Sequence, residues 1–273
     1  MGGAERAERR RKQARSAGST GSAGPRSAGT ARSASAGGGD RGRVIGTVVV
    51  VLVLAAAVLG GVLWQRSRSA PPEAEPTRVT AEYPVRLDGG TVVAGEDTAK
   101  TTIDVYEDFL CPACGTFEER DAGKIERALA AGTIKVRYHM VNLLDEKSNP
   151  PGYSLHAASA GLCAADAGGF PSFHASLFAS QPREGGRGYS DDQLVQLGRD
   201  VGITSDAFES CVRNGKYHDA VRAEFATASA DTALRRPGPG GNLYFGTPTV
   251  TIDGKVADLA NSAWLDDAIR SAG

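Results

Sequence analysis

The chain has 273 residues and a formal net charge of −1, enough length for one sizeable domain with appendages. Near-neutrality hides an imbalance: residues 1–70 carry twelve basic and three acidic side chains, whereas 71–273 carry 19 and 29. A chain basic at one end and acidic at the other reads as two physical objects in different surroundings.

The first 43 residues are almost all Ala, Gly, Ser and Arg, with no aromatic. Such a segment cannot bury enough apolar area to offset its ordering entropy, so residues 1–43 are expected to be a disordered basic tail. No aromatic residues interleave the arginines to stack on bases, and nucleic acid is not an expected partner. Val44 to Trp64 follows with no charge in 21 residues. As a helix it would run about 31 Å, the thickness of a bilayer's hydrocarbon core. The stronger basic cluster lies before it, which places the N-terminus in the cytoplasm and the rest outside. A cleaved signal peptide is the competing reading, but the apolar run exceeds a signal core and Pro71 follows Ala70 directly. Residues 65–80, with three prolines among small and charged residues, read as a linker.

The outer domain, 81–273, opens with a hairpin across Asp88-Gly89-Gly90. Residues 101–109 form a strand with Ile103 and Val105 on one face, running straight into Cys111-Pro112-Ala113-Cys114. A helix follows with Phe117, Ile125 and Leu129 on one face and Gly132 as its stop. Residues 134–144 are the next strand, alternating Ile134, Val136, Tyr138 and Met140. About 150–231 reads as a helical insert, including a capping box at Ser190 to Gln193. A Gly/Pro-rich stretch (235–242) leads to Thr247-Pro248, a strand with Val250 and Ile252, a turn at Asp253-Gly254, and a last helix carrying Trp264, Leu265 and Ile269.

Four cysteines in a segment placed outside the cytoplasm permit stable disulfides. Spacing favours Cys111–Cys114 and Cys163–Cys211 among the three arithmetically allowed pairings. A zinc site usually needs a second close ligand pair; none follows the CxxC and the four histidines are scattered, so no metal and no histidine role is expected. Closing a loop as short as Cys111–Cys114 constrains the unfolded chain little, whereas Cys163–Cys211 closes about fifty residues, worth about 4 kcal/mol in the chain-entropy model. The second pair therefore reads as structural and the first as a bond that opens and closes. Cys111 follows a strand, and Pro112 suits the first helical position, so the Cys111 sulfur should face unpaired backbone N–H groups that favour the thiolate. Cys114, one turn inward, is the resolving thiol behind an exposed nucleophile. Glu107 and Asp108 precede the motif; either could move protons for Cys114, or both could end a solvated acidic loop.

DFLCPAC resembles the active-site motif of the DsbA-like thioredoxin-fold proteins, and GTPTV resembles that family's second signature, a loop with a cis-proline before a strand. The resemblance covers about residues 83–271 and extends to FPSFHASLFASQ and CVRNGKY. It implies an α/β thioredoxin fold with an inserted helical subdomain, and a cis Thr247-Pro248 bond against the Cys111 sulfur that leaves the Thr247 backbone to pair with an extended substrate. Two departures stand out. Pro-Ala separates the cysteines where the best-known oxidases carry Pro-His, and the Pro237–Phe245 segment replaces the tight turn that often leads into the loop.

The expectation is a membrane-anchored, extracytoplasmic thiol–disulfide oxidoreductase that needs no cofactor. It would introduce disulfides into unfolded or reduced exported proteins and be reset by a membrane redox partner. The reverse direction, a reductase for example in cytochrome maturation, and a non-catalytic peptide-binding or chaperone module on the same fold stay open.

Overall fold

The computed structural model describes residues 40–69 and 73–272. Helix α1 spans Asp40–Ser69. Its stretch Ile45–Val62, of mean hydropathy 2.7, is long and apolar enough to cross a membrane. The helix starts four residues before the expected boundary and runs five past it, because nothing in 40–43 or 65–69 breaks helical geometry and only the uncharged middle sets the apolar length. The remainder of the basic tail, 1–39, lies outside the described residues.

The linker expectation needs correction from Glu75 onward. Glu75, Thr77 and Val79 donate their backbone N–H groups to the hydroxyls of Ser180, Ser176 and Ser172 at 3.0, 2.8 and 3.0 Å. Four helical residues rise about 6 Å and two extended residues about 6.6 Å, so serines at i, i+4 and i+8 meet alternate N–H groups of an extended chain. Sequence periodicity does not show such a pairing, since none of these serines is apolar.

The sheet orders its six strands β1-β2-β4-β3-β7-β8. These are β1 (Val85–Asp88), β2 (Thr91–Ala94), β3 (Thr101–Glu107), β4 (Ile134–Met140), β7 (Thr249–Ile252) and β8 (Lys255–Val256). Strands β3 and β4 run parallel, joined through helix α2 (Pro112–Ala130), and β7 pairs antiparallel with β3. One sheet face carries Ile103, Val105, Ile134, Val136 and Val250, all buried. The other is polar at its centre: Asp104 accepts from Arg137 at 2.5 Å, from Thr251 at 2.8 Å, and pairs with His139 at 3.1 Å, tying three strands together. His139 also reaches Glu224 at 2.8 Å, on helix α7 (His218–Ala230).

The helical subdomain comprises α3 (Tyr153–Asp166), α4 (Phe170–Ala179), α5 (Asp191–Asp200), α6 (Asp206–Arg213) and α7. Helix α3 is buried on nearly every side, as expected of a run so rich in Ala, Leu and Ser. Ser190 and Gln193 form the capping box of α5, and Ser205 caps α6. A Cβ at Gly198 would fall 2.1 Å from the Phe208 ring, so glycine is what lets α5 and α6 approach. Two short strands, β5 (Arg236–Pro237) and β6 (Leu243–Tyr244), begin in and follow the Gly/Pro-rich stretch, and helix α8 (Trp264–Ala272) closes the fold.

Candidate active site

Strand β3 ends at Glu107 and the chain turns at Asp108, where the Cys111 N–H donates to the Asp108 carbonyl at 2.9 Å. Cys111 occupies the N-cap of α2 with extended backbone, and Pro112 is the first helical residue, where its missing N–H costs nothing. The thiols of Cys111 and Cys114 are free and both buried, Cys111 at 7% exposure and Cys114 at 0%. Cys111 is thus less open than the expected exposed nucleophile, because the loop at Thr247 roofs it: the Cys111 thiol donates to the Thr247 carbonyl at 3.3 Å. The Thr247-Pro248 bond is cis. Thr247 Oγ1 is buried with no hydrogen-bond partner among the described residues.

The two thiols have opposite electrostatics. Cys111 is lowered to about 6, foremost by the hydrogen bond that Cys114 offers; burial opposes this, and Thr247 and the N–H groups of Cys114 and Ala113 add to it. Cys114 is pushed well above the ordinary thiol value, first by burial and then by its bond to Cys111 and the Cys111 charge.

Glu107 and Asp108 are not a solvated loop end; both are 0% exposed. Asp108 accepts three hydrogen bonds, from Leu110 N–H at 2.8 Å, Leu144 N–H at 2.8 Å and the Ser154 hydroxyl at 2.7 Å, and burial holds it up at about 6. Glu107 Oε1 lies 2.5 Å from His174 Nε2, while Oε2 has no partner among the described residues. Glu118 lies beside this pair, and donor atoms of Glu107, Glu118 and His174 all fall within 4.8 Å of one another. Three such groups could hold a cation. Burial raises both carboxyls well above their usual range and lowers His174, so the cluster equally serves as a store of protons.

Glu118 and His174 escaped the sequence reading. Glu118 was legible as the residue four after Cys114 on the same helical face; His174 carried no signal beyond its place in the FPSFHASLFASQ run. Gln181 was missed as well. Its Nε2 donates to the Phe109 carbonyl at 3.1 Å and the Cys111 carbonyl at 2.9 Å, clamping the cysteine turn to the helical subdomain. A Cβ at Gly115 would lie 2.6 Å from Gln181 Oε1, so this glycine makes room for the clamp. Pro112, Gly115, Glu118, His174, Phe178 and Gln181 share a cavity of about 580 Å³. Away from it, Cys163 on α3 and Cys211 on α6 form a disulfide with Cα atoms 5.8 Å apart.

A six-stranded mixed sheet with a CxxC at the N-terminus of its crossover helix and a prolyl loop over the first sulfur is the architecture of the DsbA-like thiol–disulfide oxidoreductases. Residues 87–270 match the family model described as Thioredoxin, and the chain belongs to that family, in its DsbA-like branch. Among solved structures, the reduced disulfide bond oxidoreductase DsbG of Mycobacterium tuberculosis is 31% identical, with a TM-score of 0.55 over 65% of this chain and 82% of that one. The reduced DsbA of the same organism is 29% identical, with a TM-score of 0.57 over 67% and 92%. The serine/threonine-protein kinase PknE of M. tuberculosis is 32% identical over 210 residues, 74% of this chain; this chain spans 35% of that kinase's length.

Proposed function

We propose that this chain is a membrane-anchored, extracytoplasmic oxidoreductase that introduces disulfides into exported proteins, with Cys111 as the substrate-facing sulfur and Cys114 as the buried one. The observation that carries the proposal is the placement of Cys111: at the N-cap of α2, under the Thr247 carbonyl, with Cys114 fully enclosed behind it. A thiolate of the substrate attacks the Cys111 sulfur of the enzyme disulfide, and Cys114 departs with the electron pair. Its raised pKa makes it take a proton, and Glu107, kept protonated by burial, is the proposed source. Asp108, which holds Leu110, Leu144 and Ser154 through three hydrogen bonds, is a weaker candidate for that role. A second substrate thiolate then attacks the substrate sulfur of the mixed disulfide, and Cys111 leaves as a thiolate stabilised by its helix N-terminus. The substrate gains one disulfide and the enzyme two electrons, which a membrane partner must remove. The Thr247 backbone offers an extended substrate an edge to pair with beside the sulfur.

The apolar run of α1, with the stronger basic cluster before it, supports an anchor whose N-terminus is cytoplasmic. Replacing Cys114 by Ala should leave exported proteins trapped on Cys111 as mixed disulfides, and a further Cys111→Ser change should abolish them. Absence of adducts, or adducts confined to cytoplasmic proteins, would overturn the proposal.

The similarity to part of a kinase favours a second reading, a non-catalytic peptide-binding or sensor module outside the membrane whose cysteines do no chemistry. Full complementation of a deletion strain by Cys111→Ser would select it.

A further inference from the structure

Glu107, Glu118 and His174 come from three elements: Glu107 ends β3, Glu118 lies on α2 and His174 on α4. All three are more than nine-tenths buried, at 0%, 8% and 5% exposure. Their pairing is incomplete. Both carboxyls make their ion pairs with His174, Glu107 at 2.5 Å and Glu118 at 4.0 Å, and no lysine or arginine pairs with either among the described residues. Glu107 Oε2 and Glu118 Oε1 are buried without a hydrogen-bond partner among the described residues, and the two carboxyls meet acceptor to acceptor. One imidazole cannot satisfy both, and a buried carboxylate needs a proton or a cation.

The three side chains have the spacing of a metal's donor set. One ligand atom from each lies within 4.8 Å of the other two. Four-coordinate zinc, with bonds of about 2.1 Å, holds its ligands about 3.4 Å apart, so the groups need to close by at most about 1.4 Å. The proton between His174 Nε2 and Glu107 Oε1 is what an entering cation replaces. Phe109, Tyr138, Phe170 and Phe178 surround His174 with ring centroids between 5.0 and 5.6 Å away, an apolar wall that strengthens charge attraction inside it. Sequence reasoning expected no metal because it looked for ligands close together in the chain, and Glu107 and His174 are 67 residues apart.

A cation also has a way in. Glu118 and His174 line the cavity of about 580 Å³, together with Glu119 and Glu126 and with no lysine or arginine. Two lining residues, Thr116 and Glu119, are exposed. The acidic lining draws cations from solvent, and the cavity has room for water at the coordination positions that three protein ligands leave open.

We propose that Glu107, Glu118 and His174 form a binding site for a divalent first-row transition-metal cation, reached through the acidic cavity. Two carboxylates and an imidazole suit zinc, manganese or ferrous iron better than magnesium or calcium, which favour oxygen ligands. The site stands independently of the redox reading and meets it at one group: a carboxylate bound to metal holds no proton, so a filled site withholds the one assigned to Glu107.

The test uses the full chain in detergent carrying Cys111→Ser/Cys114→Ser, so that no active-site thiol competes for metal. The chain is stripped with chelator and titrated with Zn²⁺ in a calorimeter. One equivalent should bind with a Kd of about 1 μM or lower. Adding Glu118→Gln, which keeps the side chain's shape, should weaken binding by at least about a hundredfold, more than loss of an outer-shell partner typically costs. Adding Glu119→Gln, in the same cavity but outside the donor set, should leave the affinity as it is. Anomalous scattering from zinc-soaked crystals should place the ion about 2.0–2.2 Å from the three donors. That signal is read on unaltered ligands, so it decides the matter even where Glu118→Gln fails to fold. A Kd above about 100 μM, or an affinity that Glu118→Gln leaves intact, overturns the proposal. So does an ion found elsewhere, such as between His156 and Asp191, which would be an adventitious ion only.

Discussion

The Cys111 sulfur lies 3.3 Å from the carbonyl oxygen of Thr247, a residue 136 positions later in the chain. Sheet register brings them together: Tyr106 near the end of β3 pairs with Thr249 at the start of β7, so the segments leaving these two strands meet over the N-terminus of α2. The neutral thiol donates to that carbonyl, while the thiolate is favoured by the Cys114 thiol and by the helix N–H groups of Cys114 and Ala113.

Alkylation of the reduced protein by iodoacetamide should therefore show a midpoint near pH 6 that disappears in Cys111→Ser. Because the folded value is lowered from 9.0, ionisation stabilises the reduced fold fully above that ordinary value. The gain fades as pH falls and is lost through pH 6. The difference in melting temperature between oxidised and reduced forms should move accordingly. A midpoint above pH 8 would contradict this arrangement.

Glu107→Gln keeps the shape of the buried cluster but removes its acid–base capacity. Resolution of a mixed disulfide by Cys114 should slow by about a hundredfold, the lower end of the range for a lost general acid or base. The Cys111 alkylation midpoint should stay within about one unit of pH 6, since the bond to Cys114 is foremost in lowering it and the helix N–H groups add to that. Stopped-flow thiol release measures the first quantity, and an unchanged rate across pH 5 to 8 would remove Glu107 from the reaction.

The cysteine pair, the two strands around it and the prolyl loop were legible because each has a local mark: period-two alternation at Ile103, Val105, Val136 and Tyr138, a Pro at the helix start, and a Thr-Pro before Val250. The burial of Glu107 and Asp108 was not, because a carboxylate before a loop has the same local pattern whether it faces water or the core. What encloses them comes from far along the chain, His174 for Glu107 and Ser154 for Asp108. The same holds for Gln181 on the cysteine turn and for the serines that catch residues 75–79. Long-range polar pairing has no period.

The Cys163–Cys211 bridge closes a loop 48 residues in separation between α3 and α6. Replacing both cysteines by Ser should destabilise the protein by about 4 kcal/mol in denaturant titration. The reaction of Cys111 with iodoacetamide should stay as it is, since neither cysteine belongs to the site. Loss of that reaction in a folded variant would indicate a relay role for the bridge.

Asp104 is nearly enclosed and holds His139, Arg137 and Thr251 from two neighbouring strands. Burial works against its ionisation, but these partners keep it well below the usual carboxylate range; burial likewise opposes the charge on His139, while Asp104 and Glu224 raise it. The Asp104 contribution is thus present above the ordinary carboxylate pKa and lost as pH falls through its lowered value. The His139 contribution is present below the ordinary histidine pKa and lost as pH rises through its raised value. Asp104→Ala should cost about 3–5 kcal/mol, as for breaking a buried pair, and flatten both limbs of a plot of stability against pH. A cost under about 1 kcal/mol would show the network to be worth no more than a surface pair.

The central claim is that a stabilised Cys111 thiolate makes the Cys111–Cys114 disulfide a donor of oxidising equivalents. Equilibration of the full chain with glutathione buffers measures it directly. The account predicts a reduction potential well above the value of about −270 mV typical of thioredoxin. A potential at or below that value would contradict it.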